Sequence, residues 1–337
     1  MQIRQRPLGS PLPAEAHSRR AERSTDRLVI DTDGGIDDFL AVIAAARLAA
    51  ARITAITTGG GNTSAANSAR NSALAAAIGG LDLAHVTIGL GSDLSLSGTR
   101  FRNIADTYHT IEGIPLARRE LERRTPPHTA SESLVVLRES CYAPVTFMCL
   151  GPLTNIARLC SQAPECCANV KQIIAMAGTA EGGLHALRSR KAPARLKPDF
   201  NVSTDPQAAI EAFSFFCGRV LLVPKQICDA ITVQPQEILE RLNSDRVEHQ
   251  LVRKWYRFRR SQPGKSTSLR LGDPLTALVA CGLCEYVEKR AILNVEAEIT
   301  TRSGASSLST SKVAVRVVCR IDEQFAKAML WRVLFEG

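Results

Sequence analysis

Aromatic residues make up only 5% of this 337-residue chain, and its basic residues are scattered rather than interleaved with them. A surface that stacks unpaired bases needs both features together, so the sequence argues against nucleic acid as a partner. No stretch of 18 or more residues is purely apolar, which argues against a membrane span and a membrane partner. The N-terminus also lacks the apolar segment of a secretory signal. Acidic residues are the minority, 33 against 42 Lys and Arg, for a formal charge of +9. The ten cysteines include "CC" at Cys166 and Cys167 and "CGLC" at Cys281 and Cys284, but no second pair stands at zinc-finger spacing. Structural thiols are the reading, and no zinc site.

What the chain does have is hydrophobic content, 45%, and alternation. "LVID", "ITAITT", "VTIGLG", "PVTFMCL", "VKQIIAMAG" and "RVLLVP" read as buried strands. Helical patterns such as "DDFLAVIAAARLAA", "SAANSARNSALAAAIGG" and "PLTNIARLCSQAP" separate them. This order predicts an α/β fold: a single open, mostly parallel, Rossmann-like sheet flanked by helices. "ILNVEAEITTRS" and "SKVAVRVVCRID" predict a late strand pair, and "EQFAKAMLWRVLF" a closing helix. Residues 1–26, rich in Arg, Ser, Pro and Ala, read as a disordered basic tail, and 27–337 as one catalytic domain. Excursions are expected at 95–130 and 179–198. The segments "DTDGG", "TTGGGN", "CLGPLTN" and "AMAGTAEGG" each follow a strand directly. In a parallel sheet such strand ends converge on one crevice.

"LVIDTDGGIDDFLAVIAAA" places Asp31, Asp33, Asp37 and Asp38 within eight positions. Helix capping accounts for Asp37 or Asp38 but leaves Asp31 and Asp33 without a reason. A hard divalent cation held by oxygen ligands accounts for all of them, and it acidifies a bound water. Two chemistries place such carboxylates at a strand end. One is a magnesium-dependent, haloacid-dehalogenase-like phosphatase, for which Asp31 and Asp33 have the Asp-x-Asp spacing. Its later lysine and paired acidic motif are not evident at suitable strand ends.

The other is carried by blocks in order along the chain. "DTDGGIDDFLAV" closely resembles DTDPGIDDA, the signature of the inosine-uridine-preferring nucleoside hydrolase family, with Gly34 in place of Pro. "GGGNTSAANSARNSAL", "YHTIEG", "LGPLTNIA", "DFNVSTDPQAA" and "LGDPLTALVA" resemble later blocks of the same family. The resemblance spans nearly all of the chain after the tail.

That resemblance implies hydrolysis of the N-glycosidic bond of ribonucleosides to free base and ribose, in cytoplasmic purine and pyrimidine salvage. It implies Ca2+ bound by Asp33, Asp38, Asp273 and the Leu150 carbonyl, with Asp33 as catalytic base. Substrate binding would fall to Asp37, Asn62, Met176, Asp199, Asn201, His109 and Tyr256, and Asp31 would orient the loop. A homodimer or homotetramer is the family's usual state. Besides Gly34, two positions depart from the pattern: Gly272 stands where many members carry a leaving-group His, and Asp199 replaces a Glu. The insertion with Arg188, Arg190, Lys191, Arg195 and Lys197 reads as a solvated basic loop or, alternatively, a phosphate contact. A second class of function also fits, a nucleoside- or nucleotide-binding regulator that keeps the site but turns over weakly.

Overall fold

The computed structural model describes residues 17–19, 26–102, 131–189, 193–300 and 306–336. The strands are β1 (His17–Arg19), β2 (Arg27–Thr32), β3 (Ile53–Thr58), β4 (Thr87–Leu90), β5 (Ser131–Glu132), β6 (Val145–Cys149) and β7 (Val170–Met176). They continue with β8 (Thr179–Ala180), β9 (Ala194–Lys197), β10 (Val220–Val223), β11 (Thr232–Val233), β12 (Leu269–Arg270), β13 (Tyr286–Thr300) and β14 (Ser306–Ile321). The main sheet runs β5-β4-β3-β2-β6-β7-β10-β14-β13-β9-β8, with β1 on β13. Its two ends do not meet, and the ladders from β5 to β14 are parallel. The predicted α/β architecture is therefore the one observed.

Local chemistry explains the central elements. Leu28, Val29 and Ile30 of β2 have no exposed surface, as suits a strand covered on both faces. Helix α1 (Ile36–Ala49) is alanine- and leucine-rich, with ten of its fourteen residues buried. It packs against α2 (Ala65–Gly79) and against the helix Gly272–Ala280. Ser64 caps the start of α2 by accepting from the Asn67 N–H, and Gly80 ends it with φ +89°. Burial of Phe39, Phe147, Phe213 and Phe216, each under 2% exposed, fills the space between helices and sheet. Each such ring stabilises the fold by about 3–5 kcal/mol relative to alanine.

From β2 the chain first moves outward through β3 and β4, then returns to place β6 on the other flank of β2. This reversal of strand order opens a crevice at the carboxyl ends of β2 and β6. The helix Gly272–Ala280, lying beside α1, brings Asp273 in its first turn to the same end.

Two regions differ from the sequence reading, and a third matches it. Within the expected tail, His17–Arg19 form a strand antiparallel to Tyr286–Glu288, and the rest of 1–25 lies outside the described residues. The expected excursion at 179–198 is part of the sheet: β9 pairs parallel with β13, and β8 antiparallel with β9. Alternation in "ARLK", buried-exposed-buried-exposed, is the strand signal that its basic composition hid. The late strand pair is a long hairpin, Tyr286 opposite Ile321 to Thr300 opposite Ser306, of which β14 joins the sheet through β10.

Candidate active site

The stretch from the end of β2 to the first turn of α1 holds the aspartates in distinct settings. Asp31, 2% exposed, accepts from Thr57 Oγ1 at 2.7 Å and Asn155 Nδ2 at 2.8 Å. It ties β2 to β3 and to the helix Thr154–Gln162, and burial raises its carboxyl to about 6. It does not line the cleft, so the Asp-x-Asp phosphatase reading fails: its first carboxylate is spent inside the fold.

Asp33 is fully buried, accepting from the Asn62 backbone N–H at 2.8 Å and Asn62 Nδ2 at 3.1 Å. Gly61 and Gly151 close in from either side. A Cβ on Gly151 would stand 2.9 Å from Asp33 Cβ, and one on Gly61 would collide with its carboxylate. Close approach, not a turn, is what these two glycines provide. Asp38 accepts from Thr32 Oγ1 at 2.5 Å and from the Gly35 N–H at 3.1 Å, sealing the start of α1. Gly34 has φ +75° and donates its N–H to Thr32 Oγ1 at 3.1 Å. Proline, the family's usual residue here, has neither that φ nor that donor. The Gly34 carbonyl accepts from Asn71 Nδ2 at 2.7 Å.

Carboxylate oxygens of Asp37, Asp38 and Asp273 lie within 4.8 Å of one another. Repulsion at that distance is about 3 kcal/mol per pair at an effective dielectric of about 20. Burial first, then mutual repulsion, holds Asp38 and Asp273 well above the ordinary carboxylate range. Asp33 is raised by burial, and Asp37 is pushed up to about 6 by burial, against a small opposing pull from Arg270. Among the described residues no Lys or Arg forms an ion pair with any of the four. Buried carboxylates that face one another without a counter-charge fit a hard cation with oxygen ligands.

Above this floor opens a cleft of about 480 Å³, a size suited to a small ligand. Asp37, Asn62, Leu150, Met176, Asp199, Asn201 and Asp273 line it, as the sequence reading grouped them. Asn201 Nδ2 donates to the carbonyls of Leu150 at 2.7 Å and Met176 at 3.0 Å, bracing two strand ends. Asp199 caps the helix Phe200–Thr204 by accepting from the Val202 N–H at 3.2 Å, and burial raises its carboxyl. Asp33 and Asp38 lie beneath the lining rather than on it, each no more than 1% exposed.

One expected substrate contact is not in the cleft. Tyr256 is buried in the core, and its neighbour Trp255 lines the cleft instead. One residue along a helix is a 100° turn, and the helix Val247–Arg260 presents Trp255 and Arg259, four apart, on its cleft face. His109 lies outside the described residues. The basic insertion does not reach the cleft through its described cations: Arg188 pairs with Glu323 at 2.6 Å, and Arg195 and Lys197 sit on β9.

The sequence reading missed Lys225, Cys228, Asp229, Phe200, Ser266, Ser268 and Arg270, all in the lining. Lys225 begins directly after β10, so the rule that singled out four strand ends would have found it at a fifth. Gly272 also lines the cleft, and its missing side chain has a neighbour in the way. A Cβ there would stand 3.0 Å from Cys228 Cβ and 3.2 Å from its Sγ. The ten cysteines are free thiols, most of them buried, and burial pushes Cys281 and Cys284 up to about 11. No helix of the described residues is long and apolar enough to cross a membrane.

Comparison with known proteins agrees with this geometry. The profile of the inosine-uridine-preferring nucleoside hydrolases matches residues 28–328. Uridine nucleosidase 1 of Arabidopsis thaliana is 27% identical over 81% of this chain and 79% of its own length. A non-specific ribonucleoside hydrolase of Klebsiella pneumoniae is 29% identical over 55% of this chain and 57% of its own. Among solved structures, a plant nucleoside hydrolase superposes with TM-score 0.67 at 21% identity, covering 93% of this chain and all of the other. The nucleoside hydrolase of Bacillus anthracis superposes with TM-score 0.64 at 17% identity over the same share of this chain. At these identities the two structures speak for the fold alone. The profile match extends over most of the sequence, and the chain belongs to the inosine-uridine-preferring nucleoside hydrolase family, hydrolases of the N-glycosyl bond.

Proposed function

We propose that the protein hydrolyses ribonucleosides to free base and ribose with a Ca2+ ion held by Asp33, Asp38, Asp273 and the Leu150 carbonyl. What supports this reading is the cluster of Asp37, Asp38 and Asp273 carboxylates beneath an open cleft, with Asp33 buried next to Asp38, to whose Oδ1 its backbone N–H donates at 3.3 Å. When bound, the cation offsets the repulsion among these side chains and acidifies a water molecule.

The chain's own groups then do the rest. Asp33 takes the proton from the attacking water, and its carboxylate is aimed by the two Asn62 donors. Asp37, Asn62 and Asn201 hold ribose hydroxyls and Asp199 the far side of the sugar, which fixes C1′ over the water. Met176 packs against the ring. As the bond to the base breaks, positive charge grows on the sugar, and the surrounding carboxylates stabilise it. Trp255 offers a flat apolar wall for the base. Gly272 leaves no ring at the position where relatives protonate the base, so departure of the base is assigned to solvent or to the base's own acidity.

A riboside panel with detection of the released sugar tests the reading, run with wild type and Asp33→Asn. Wild type should release ribose, and Asp33→Asn should lose activity by about 10²-fold or more, the usual worth of a positioned base. Chelation should abolish turnover, with Ca2+ restoring it better than Mg2+, whose octahedral demand suits this oxygen set less. Ribose-competitive binding with no release from any riboside, including p-nitrophenyl riboside, would instead support the regulator. By the same family likeness we propose a cytoplasmic homodimer or homotetramer acting in base salvage, a state that sedimentation checks.

A further inference from the structure

The outer half of the cleft has a charge balance opposite to that of its floor. Lys225, Arg259 and Arg270 line it with a single acid, Asp229. Asp229 serves two of the cations, as the partner of Lys225 Nζ and of Arg270 Nε at 2.9 Å. Arg259 takes no acidic partner among the described residues. Its Nε donates to the Ser266 carbonyl at 3.1 Å, and its guanidinium lies 5.8 Å from the centroid of the Trp255 ring. The rim thus carries two positive charges beyond what Asp229 neutralises. A neutral nucleoside offers them uncharged acceptors such as base carbonyls, but no negative charge to match them.

Resting on the hydrolase reading above, we infer that the substrate class is the 5′-phosphorylated riboside, a nucleoside 5′-monophosphate, with Arg259, Arg270 and Lys225 holding the phosphate. Orientation follows from charge. Asp37, Asp199 and Asp273 on the inner lining repel a phosphate and accept sugar hydroxyls, so the ribose enters 2′,3′-edge first and its 5′-carbon faces the rim. Arg270 and Asp37 line the same cleft, so the phosphate and sugar sites belong together. Two guanidiniums offer forked donors that match phosphate oxygens, and Lys225 adds a point charge. The basic insertion is not needed for this, because its described cations stand elsewhere.

Binding to the calcium-loaded wild-type protein tests the inference without any turnover. Calorimetry with ribose 5-phosphate, ribose and inorganic phosphate should rank ribose 5-phosphate first by at least tenfold over each of the others. The margin should shrink between low salt and roughly 0.5 M salt, as screening predicts. Arg259→Gln and the double variant Arg259→Gln/Arg270→Gln should close the gap between ribose 5-phosphate and ribose, and Arg259→Lys should recover part of it. Equal binding of ribose and ribose 5-phosphate overturns the inference, as does a gap that survives the double variant. Inorganic phosphate binding as tightly as ribose 5-phosphate also overturns it, since the site would then serve free phosphate. In turnover, inosine 5′-monophosphate should exceed inosine in kcat/KM by tenfold or more, and inosine as the better substrate counts against. Failure of both compounds to release sugar sinks the hydrolase reading alone and leaves the binding result to decide this one.

Discussion

The floor and the rim of the cleft are built by opposite means. The floor is anionic, buried and pinned by backbone: Asp33 by the Asn62 N–H, Asp38 by the Gly35 N–H, and both wedged beside glycines. The rim is cationic, partly exposed and held by side chains whose partners are one carboxylate and one carbonyl. A floor of this kind tolerates no change of shape, because every lost atom leaves a buried charge without its partner. A rim of this kind tunes which ligand arrives and how tightly, because exposed charges are screened and can reorient.

Substitution on the two sides should therefore differ by orders of magnitude. The largest effect belongs to the floor. Asp273→Asn removes a carboxylate from the oxygen set and should lower kcat/KM by about 10³-fold, the scale of losing a preorganised electrostatic group. Loss of less than tenfold would mean that Asp273 is not a ligand. Next comes the shape of the floor. Gly34→Pro forces a negative φ where the chain needs +75°, deletes the donor to Thr32 and crowds the Ser68 backbone. Urea unfolding should show a loss of about 3 kcal/mol or more, although proline is the residue that the family usually carries there.

Chelation should cost stability in a pH-dependent way. Asp37, at the carboxylate cluster, is held at about 6 by burial, against 3.8 for an unperturbed carboxyl. Folded values above the unfolded ones mean that the native state resists ionisation. The penalty is absent below pH 4, grows between pH 4 and 6, and is complete above 6. A bound cation offsets it, so the drop in Tm on chelation should be larger at pH 7 than at pH 5. Equal drops at both would break the assignment. At the rim, Trp255→Ala should raise KM about tenfold with a smaller change in kcat, the pattern of lost uniform binding. Outside both regions, Arg188→Ala breaks only a half-exposed pair with Glu323 and should shift stability by no more than about 0.5 kcal/mol.

The same division governs what could be read from the amino acids alone. The floor was legible because its chemistry is dense: four carboxylates in eight positions have few structural explanations, and they follow an apolar strand in a chain of alternating elements. Asn62, Leu150, Met176 and Asp273 came through the family resemblance of the blocks that carry them, and the first three fall at or near strand ends, where a parallel sheet gathers its loops. The rim was not legible because each of its members is ordinary by itself. Lys225, Arg259 and Arg270 come from three segments separated by 34 and 11 positions. Only the packing of the helix Val247–Arg260 over the sheet end makes them neighbours. Tyr256 came from the family resemblance, while the phase that turns Trp255 rather than Tyr256 to the cleft is set by tertiary contacts. The insertion at 179–198 was misread for a related reason. Its charges are conspicuous, whereas the alternation of Ala194 and Leu196 facing inward is a four-residue signal.

The contact between Gly272 and Cys228 ties any gain of a proton donor at 272 to its neighbour. A histidine introduced there sets its Cβ 3.0 Å from Cys228 Cβ and 3.2 Å from the Sγ, so Cys228 must yield by a few tenths of an ångström to admit it. Cys228→Gly removes both of those atoms, which makes the pair Gly272→His with Cys228→Gly the combination that admits an imidazole at this wall without that crowding.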